Sequence, residues 1–285
     1  GRFRRAGKSS RSYGRKRTTR YRRSGRGYAK MPRFATVGFA RNTEKKYFDK
    51  TYQANSHETL SGSNVANSNS GVTYISSTWG DYSFGSQAAP NAVSNDMLKG
   101  VGTGTTARTR IGNKIKVSYV KGAFTFNAAV VNAKSSKEQG GEQVAQPAAS
   151  DSHVYLRTTY RFVIVKDLQV NSTDVNIGWH QVFDTSNQTA GVHSELNVDS
   201  MGRFVVLQDK IFTVDADNPQ KTYRFVVNGS NFGNVRYNGP GANALTDKGL
   251  YVVYAAFVMG TSINDLVAVG LPSPVGHSRL CFSDD

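Results

Sequence analysis

The sequence predicts an all-β body of about eight strands, folded as a sandwich or jelly roll, behind a disordered basic arm. Three observations predict it. Period-2 runs rich in β-branched and aromatic residues recur from residue 114 onward. No segment carries sustained helical periodicity. Positive charge is concentrated in residues 1–34, which hold 14 Lys and Arg and no Asp or Glu. Residues 35–285 keep 22 of the 36 basic residues against all 20 acidic ones, so almost the whole net charge of +16 sits in the arm.

The arm comes first. Its cations are Arg2, Arg4, Arg5, Lys8, Arg11, Arg15, Lys16, Arg17, Arg20, Arg22, Arg23, Arg26, Lys30 and Arg33. With few large apolar residues to bury, such a segment cannot offset its ordering entropy and is expected to be disordered when free. A solvated tail leaves fourteen like charges repelling one another, whereas a polyanion neutralises them and releases condensed counterions. Tyr13, Tyr21 and Tyr28 lie among these cations and offer stacking faces beside charge, as single-strand binders do. Recurrent Gly, Ser and Thr deny the arm the apolar face that membrane binding needs. Arg15 to Arg23, RKRTTRYRR, also fits a nuclear-import signal.

Residues 54–112 are heavy in Ser, Asn and Gly and read as an extended preamble (35–112 overall) crossing the surface, interrupted by VTYISSTW, Val72 to Trp79. Ser94 to Gly100, SNDMLKG, has room for one or two helical turns. In KIKVSY, Ile115, Val117 and Tyr119 share one face and Lys114 and Lys116 the other. The alternation slips between Tyr119 and Val120, which predicts a bulge before Phe124 and Phe126. Asn132 to His153 is a long polar surface loop. LRTTYRFVIVKD, Leu156 to Asp167, sets Leu156, Tyr160, Phe162 and Ile164 against Arg157 and Arg161, and RFVVLQDKIFTV and KTYRFVVN continue the pattern from 203 to 214 and 221 to 228. LYVVYAAFVMG, Leu250 to Gly260, is apolar on both faces: a strand buried at an interface or a short buried helix, with its β-branched residues favouring strand. A last short strand runs near Ser278 to Phe282.

Catalysis finds little support. Cys281 stands alone, so no intrachain disulfide forms, and His57, His153, His180, His193 and His277 lack metal-ligand spacing. Gly100, Gly102 and Gly104 precede a strand and lack the lysine of a phosphate loop. Asp215 and Asp217 read as loop residues. No enzyme activity, cofactor or metal is expected, and no membrane insertion, since no run nears about twenty apolar residues. The amino terminus lacks the apolar stretch of a secretory signal.

A resemblance follows from the order of motifs. RIGNKIKVSYVKGAFTF (Arg110 to Phe126), TYRFVIVKD (Thr159 to Asp167), WHQVFD (Trp179 to Asp184), RFVVLQDKIFTV (Arg203 to Val214) and VRYNGPGANALTDKGLYVVYAAFV (Val235 to Val258) occur in turn behind the arm. This chain thereby resembles coat proteins of small viruses with circular single-stranded DNA genomes (geminiviruses, genomoviruses and circoviruses) and the coat protein of satellite tobacco necrosis virus. The zinc-type Cys/His positions of some geminivirus coats have no counterpart here, and the 132–153 loop is longer.

The resemblance implies a single eight-stranded jelly roll of viral coat type at 35–285, assembling as a homo-oligomer into an icosahedral shell of about sixty copies. The arm would lie inside on single-stranded nucleic acid, with DNA favoured over RNA by the resemblance. Sixty arms would bring about 840 positive charges, enough for on the order of 800 phosphates. It further implies a virion protein that visits the host nucleus and meets nuclear import receptors and a host surface receptor. Arg108, Arg110, Lys114 and Lys116, where the preamble enters the first strand, are a second expected basic group on the shell's inner surface. Cations on the solvated face of an amphipathic strand are the alternative. The rival functions are a basic-tailed cellular nucleic-acid binder of ribosomal or chromatin type, the coat protein of an RNA satellite virus, and a trimeric jelly roll of cytokine or lectin kind.

Overall fold

In the computed structural model, residues 44–59, 72–81, 93–133, 154–170, 176–186, 191–241, 245–258 and 267–284 are described. The arm, its expected disorder and most of the 132–153 loop lie outside them.

Among the described residues twelve strands form, all paired antiparallel: β1 (Lys46–Thr59), β2 (Val72–Gly80), β3 (Lys114–Asn127), β4 (Ala129–Ala133), β5 (Val154–Leu156), β6 (Thr158–Asp167), β7 (Phe204–Val214), β8 (Gln220–Asn228), β9 (Asn234–Arg236), β10 (Gly249–Val258), β11 (Val267–Gly270) and β12 (Val275–Asp284). The eight principal strands follow the order β7-β6-β10-β2-β1-β12-β3-β8, with β9 beside β3. Read along the chain, the pairs nest: β1 with β12, β2 with β10, β3 with β8 and β6 with β7. A ribbon whose ends pair first and whose middle pairs last, wrapped into two facing sheets, is a jelly roll. The sheets are β1-β12-β3-β8 and β2-β10-β6-β7. They are joined where β1 pairs β2, and two register shifts around Ser56 bend β1 there. A small sheet, β11-β4-β5, flanks the 132–153 loop.

The core lies between the sheets. Phe124 of β3 packs its ring 5.3 Å from Phe162 of β6, 5.6 Å from Tyr52 of β1, 5.9 Å from Phe225 of β8 and 6.0 Å from Trp79 of β2. Phe126 meets Tyr160, Phe212 and Tyr254 across the same gap. These are the inward positions that the alternation assigned to β3 and β6. The bulge in β3 falls at Ser118: Tyr119 pairs Cys281 and Val117 pairs Phe282, one residue before the expected slip.

Three expectations need correction. The preamble contains two strands of the sandwich, β1 and β2, with Tyr52, Ala54 and Trp79 in the core. The core-side stripe of β1 also carries Lys46 and Lys50, which broke its apolar alternation. Lys46 is buried against Asp284 at 2.7 Å and the Thr109 carbonyl at 2.9 Å. Ser94 to Gly100 makes turns rather than helix, burying Met97 and Leu98. β10 is apolar on both faces because its outer face is covered within the chain. Ile177, Trp179, Val182, Phe183 and Val192, from the connection between β6 and β7, close over Tyr251, Val253 and Ala255. No subunit contact is needed to bury it.

Polar groups pin that cover. Buried Asn95 donates to the carbonyls of Ile177 (2.7 Å) and Val252 (2.9 Å) and accepts from the Ile177 amide (2.9 Å). Arg161 donates to the carbonyls of Val192 (3.0 Å) and Ser194 (2.7 Å), grips Asp209, and lies 4.6 Å from the Phe183 ring centre.

Candidate nucleic-acid interface

Of the second basic group, Arg110 is fully buried. Its Nε donates to the Val101 carbonyl (3.1 Å). Nη1 donates to Gly112 (2.5 Å) and Asn113 Oδ1 (3.1 Å), and Nη2 to Gly239 (2.6 Å) and Gly241 (3.3 Å). The guanidinium also stacks 4.4 Å from the Tyr237 ring centre. Its donors are consumed in tying loop 101–113 to loop 237–241, so the expected placement of Arg110 on a nucleic-acid surface is corrected to a structural one. Arg108 is exposed on the same loop. Lys114 is half-buried and Lys116 exposed on the outward face of β3, where the register sets Lys114 opposite Arg236 and Lys116 opposite Asn234 and Ser283.

Strand pairing then gathers cations that sequence reasoning did not connect. One register row across the outer face runs Asp49, Arg279, Lys121, Val226; the next runs Tyr47, Cys281, Tyr119, Asn228; a third runs Thr51, His277, Ala123, Arg224. Lys116, Lys121, Arg224, Arg236 and Arg279 are all exposed on this face. They come from four strands, and only the pairing order brings them together. Arg279 binds Asp49 in a fork, 2.6 Å from Nε and 2.7 Å from Nη2. That hydrogen bond, reinforced by the charges of Arg279, Arg108 and His277, holds the Asp49 carboxyl below the usual carboxylate range. Along β3, Lys114 and Lys116 are two residues apart and Lys121 lies five further on, while Lys114 and Lys121 each pair an arginine one strand away, Arg236 and Arg279.

The opposite side of the sandwich differs in sign. The described residues of the connection that covers the other sheet, 168–170, 176–186 and 191–202, contain three acidic residues (Asp184, Glu195 and Asp199) and no Lys or Arg. The near-neutral total therefore conceals a body with one basic sheet face and one acidic cover. Such a distribution orients a polyanion toward a single side.

The loop bearing Arg108 is anchored from inside. The Lys50 ammonium donates to the carbonyls of Ser94 (2.6 Å) and Asp96 (2.8 Å), and Asp96 Oδ1 accepts from the amides of Leu98 (2.8 Å) and Leu250 (3.0 Å). Burial pushes the Asp96 carboxyl up to about 6 and the Lys50 ammonium down to about 8.

No protein-family model matches the chain, and no curated protein matches it. Among solved structures, it aligns with VP1 of trichodysplasia spinulosa-associated polyomavirus in complex with 3'-sialyllactose at 11% identity, over 85% of this chain and 96% of that one, with a TM-score of 0.19. Apo chimpanzee polyomavirus VP1 aligns at 9% identity over 86% and 95%, TM-score 0.19. Merkel cell polyomavirus VP1 with 3'-sialyllactosamine aligns at 8% over 86% and 95%, TM-score 0.17. Likeness at this level does not bear on function, and the jelly-roll assignment rests on the strand pairing alone.

Proposed function

We propose that this chain is a viral coat protein that assembles with copies of itself into a closed icosahedral shell and packages a single-stranded nucleic acid, DNA in preference to RNA. The observation that carries the reading is the conjunction of a 14-cation arm with a jelly roll whose basic sheet face stands opposite an acidic cover. Phosphate neutralisation by the arm supplies most of the binding free energy without reading sequence. The β1-β12-β3-β8 face, turned toward the shell interior, adds a fixed layer of cations beneath the genome. The protein's role is structural, with no catalytic step, in the virion and in the nucleus where shells assemble. Import receptors would read Arg15 to Arg23, and a surface receptor would meet the outer side.

Nuclease protection tests this. Full-length protein is expressed, purified at near-physiological salt and treated with nuclease before and after disruption. Protected single-stranded nucleic acid inside sedimenting particles is expected. Nucleic acid that is fully digested without disruption would instead indicate an open, basic-tailed binding protein.

A further inference from the structure

The outer sheet face carries aromatic rings as well as charge, and their placement goes beyond simple phosphate attraction. Tyr47 of β1 and Tyr119 of β3 share one register row, separated by Cys281 of β12. Two strand spacings put their backbones about 9.6 Å apart. Cys281 is fully buried although its register position lies on the outward face, between Tyr47 and Tyr119. Each ring has its own cation from the neighbouring row: Arg279 lies 5.9 Å from the Tyr47 ring centre and Lys121 5.5 Å from that of Tyr119. Tyr47 remains 40% exposed, so the protein covers only part of its ring.

We propose that Tyr47 and Tyr119, flanked by Arg279 and Lys121, form a base-stacking subsite that makes this face select single-stranded over double-stranded nucleic acid. The inference rests on the nucleic-acid reading above and deepens it. A base laid on either ring gains stacking that is indifferent to sequence, because every base has a π-face, while Lys121 beside Tyr119 takes the neighbouring phosphate and Arg279 stays in its fork with Asp49. Duplex nucleic acid keeps its base faces inside the stack and can engage only the cations. The face thus adds selectivity for strandedness, which the arm's counterion-driven binding does not supply.

The test compares full-length protein with a Tyr47→Leu/Tyr119→Leu variant, using a fluorescent 20-nucleotide oligothymidine and a 20-base-pair duplex at several salt concentrations. Wild type is expected to prefer the single strand. The variant is expected to lose on the order of tenfold in single-strand affinity, with duplex affinity changed less than twofold. Equal losses for both ligands, or no change in the preference, would overturn the inference while leaving the coat reading intact. Failure of wild type to bind either ligand would overturn both. If the leucine variant fails to fold, wild type is crosslinked by light to an oligonucleotide carrying 5-bromodeoxyuridine. Adducts on Tyr47 or Tyr119 are expected, and adducts confined to other residues would contradict the subsite.

Discussion

Replacing Arg110 with methionine separates the two roles a cation here could have. The guanidinium is fully buried and donates to the carbonyls of Val101, Gly112, Gly239 and Gly241 and to Asn113. Methionine fills much of the volume but supplies no donor, so at least three well-bonded acceptors lose their partner. Each buried orphan costs about 1–3 kcal/mol, and water reaching the more open loop returns part of that. The net loss is about 3–5 kcal/mol, the range found when one member of a buried charged cluster is removed. For a domain of this size that lowers Tm by roughly 6–20 °C. Arg110→Lys should recover only part of it, because a single ammonium cannot span acceptors on two loops. Thermal unfolding of full-length protein reads the loss, and oligonucleotide affinity below the transition reads function. Affinity within twofold of wild type is expected. A Tm within about 2 °C of wild type together with a several-fold loss of affinity would refute it and return Arg110 to the nucleic-acid surface.

Other consequences are equally specific. Asn95→Ala removes three hydrogen bonds between β10 and its cover, and should cost about 2–4 kcal/mol in urea unfolding and open residues 176–200 to limited proteolysis. Asp96, held at about 6 by burial, binds its proton more tightly folded than unfolded. Its stabilising contribution is therefore complete below pH about 4 and lost as pH rises through about 6. Asp96→Asn does not titrate, so its stability relative to wild type should rise by about 2–3 kcal/mol between pH 4 and 7.5, measured by thermal unfolding across that range. A flat difference would show that the carboxyl is not held neutral by its surroundings. Changing Lys116, Lys121 and Arg224 together to Gln should reduce the slope of log affinity against log salt by about 2 for single strands, with Tm unchanged.

The strands that alternate in sequence are those the structure contains. β3 buries alternate residues on either side of its bulge and β8 does so at Phe225 and Val227, whereas β6 is buried on both faces from Phe162 to Val165 and β7 buries only Phe204 and Val214; Tyr160, Phe162 and Ile164 face the core as their spacing requires. β1 escaped notice because Lys46 and Lys50 occupy core-side positions, and only the tertiary partners Asp284, Thr109, Ser94 and Asp96 make those positions tolerable. The apolar character of both faces of β10 was legible, but its cause was not, since the covering connection is polar in composition and apolar only at the residues that touch the sheet. The basic group was half legible. Lys116 stands where the alternation put it, whereas Arg110 was misassigned because nothing local distinguishes an arginine feeding distant carbonyls from one facing solvent. Lys121, Arg224, Arg236 and Arg279 become one surface only through the nesting of strand pairs, which depends on partners up to 238 residues apart, as in Lys46 with Asp284.

Electron microscopy of the full-length protein, purified at near-physiological salt with single-stranded nucleic acid present, tests the central claim most directly. Uniform closed shells of one diameter are expected, with density for nucleic acid against the face that carries Lys116, Lys121, Arg224 and Arg279. Monomers or small open oligomers across a range of salt, still binding nucleic acid through the arm, would contradict it.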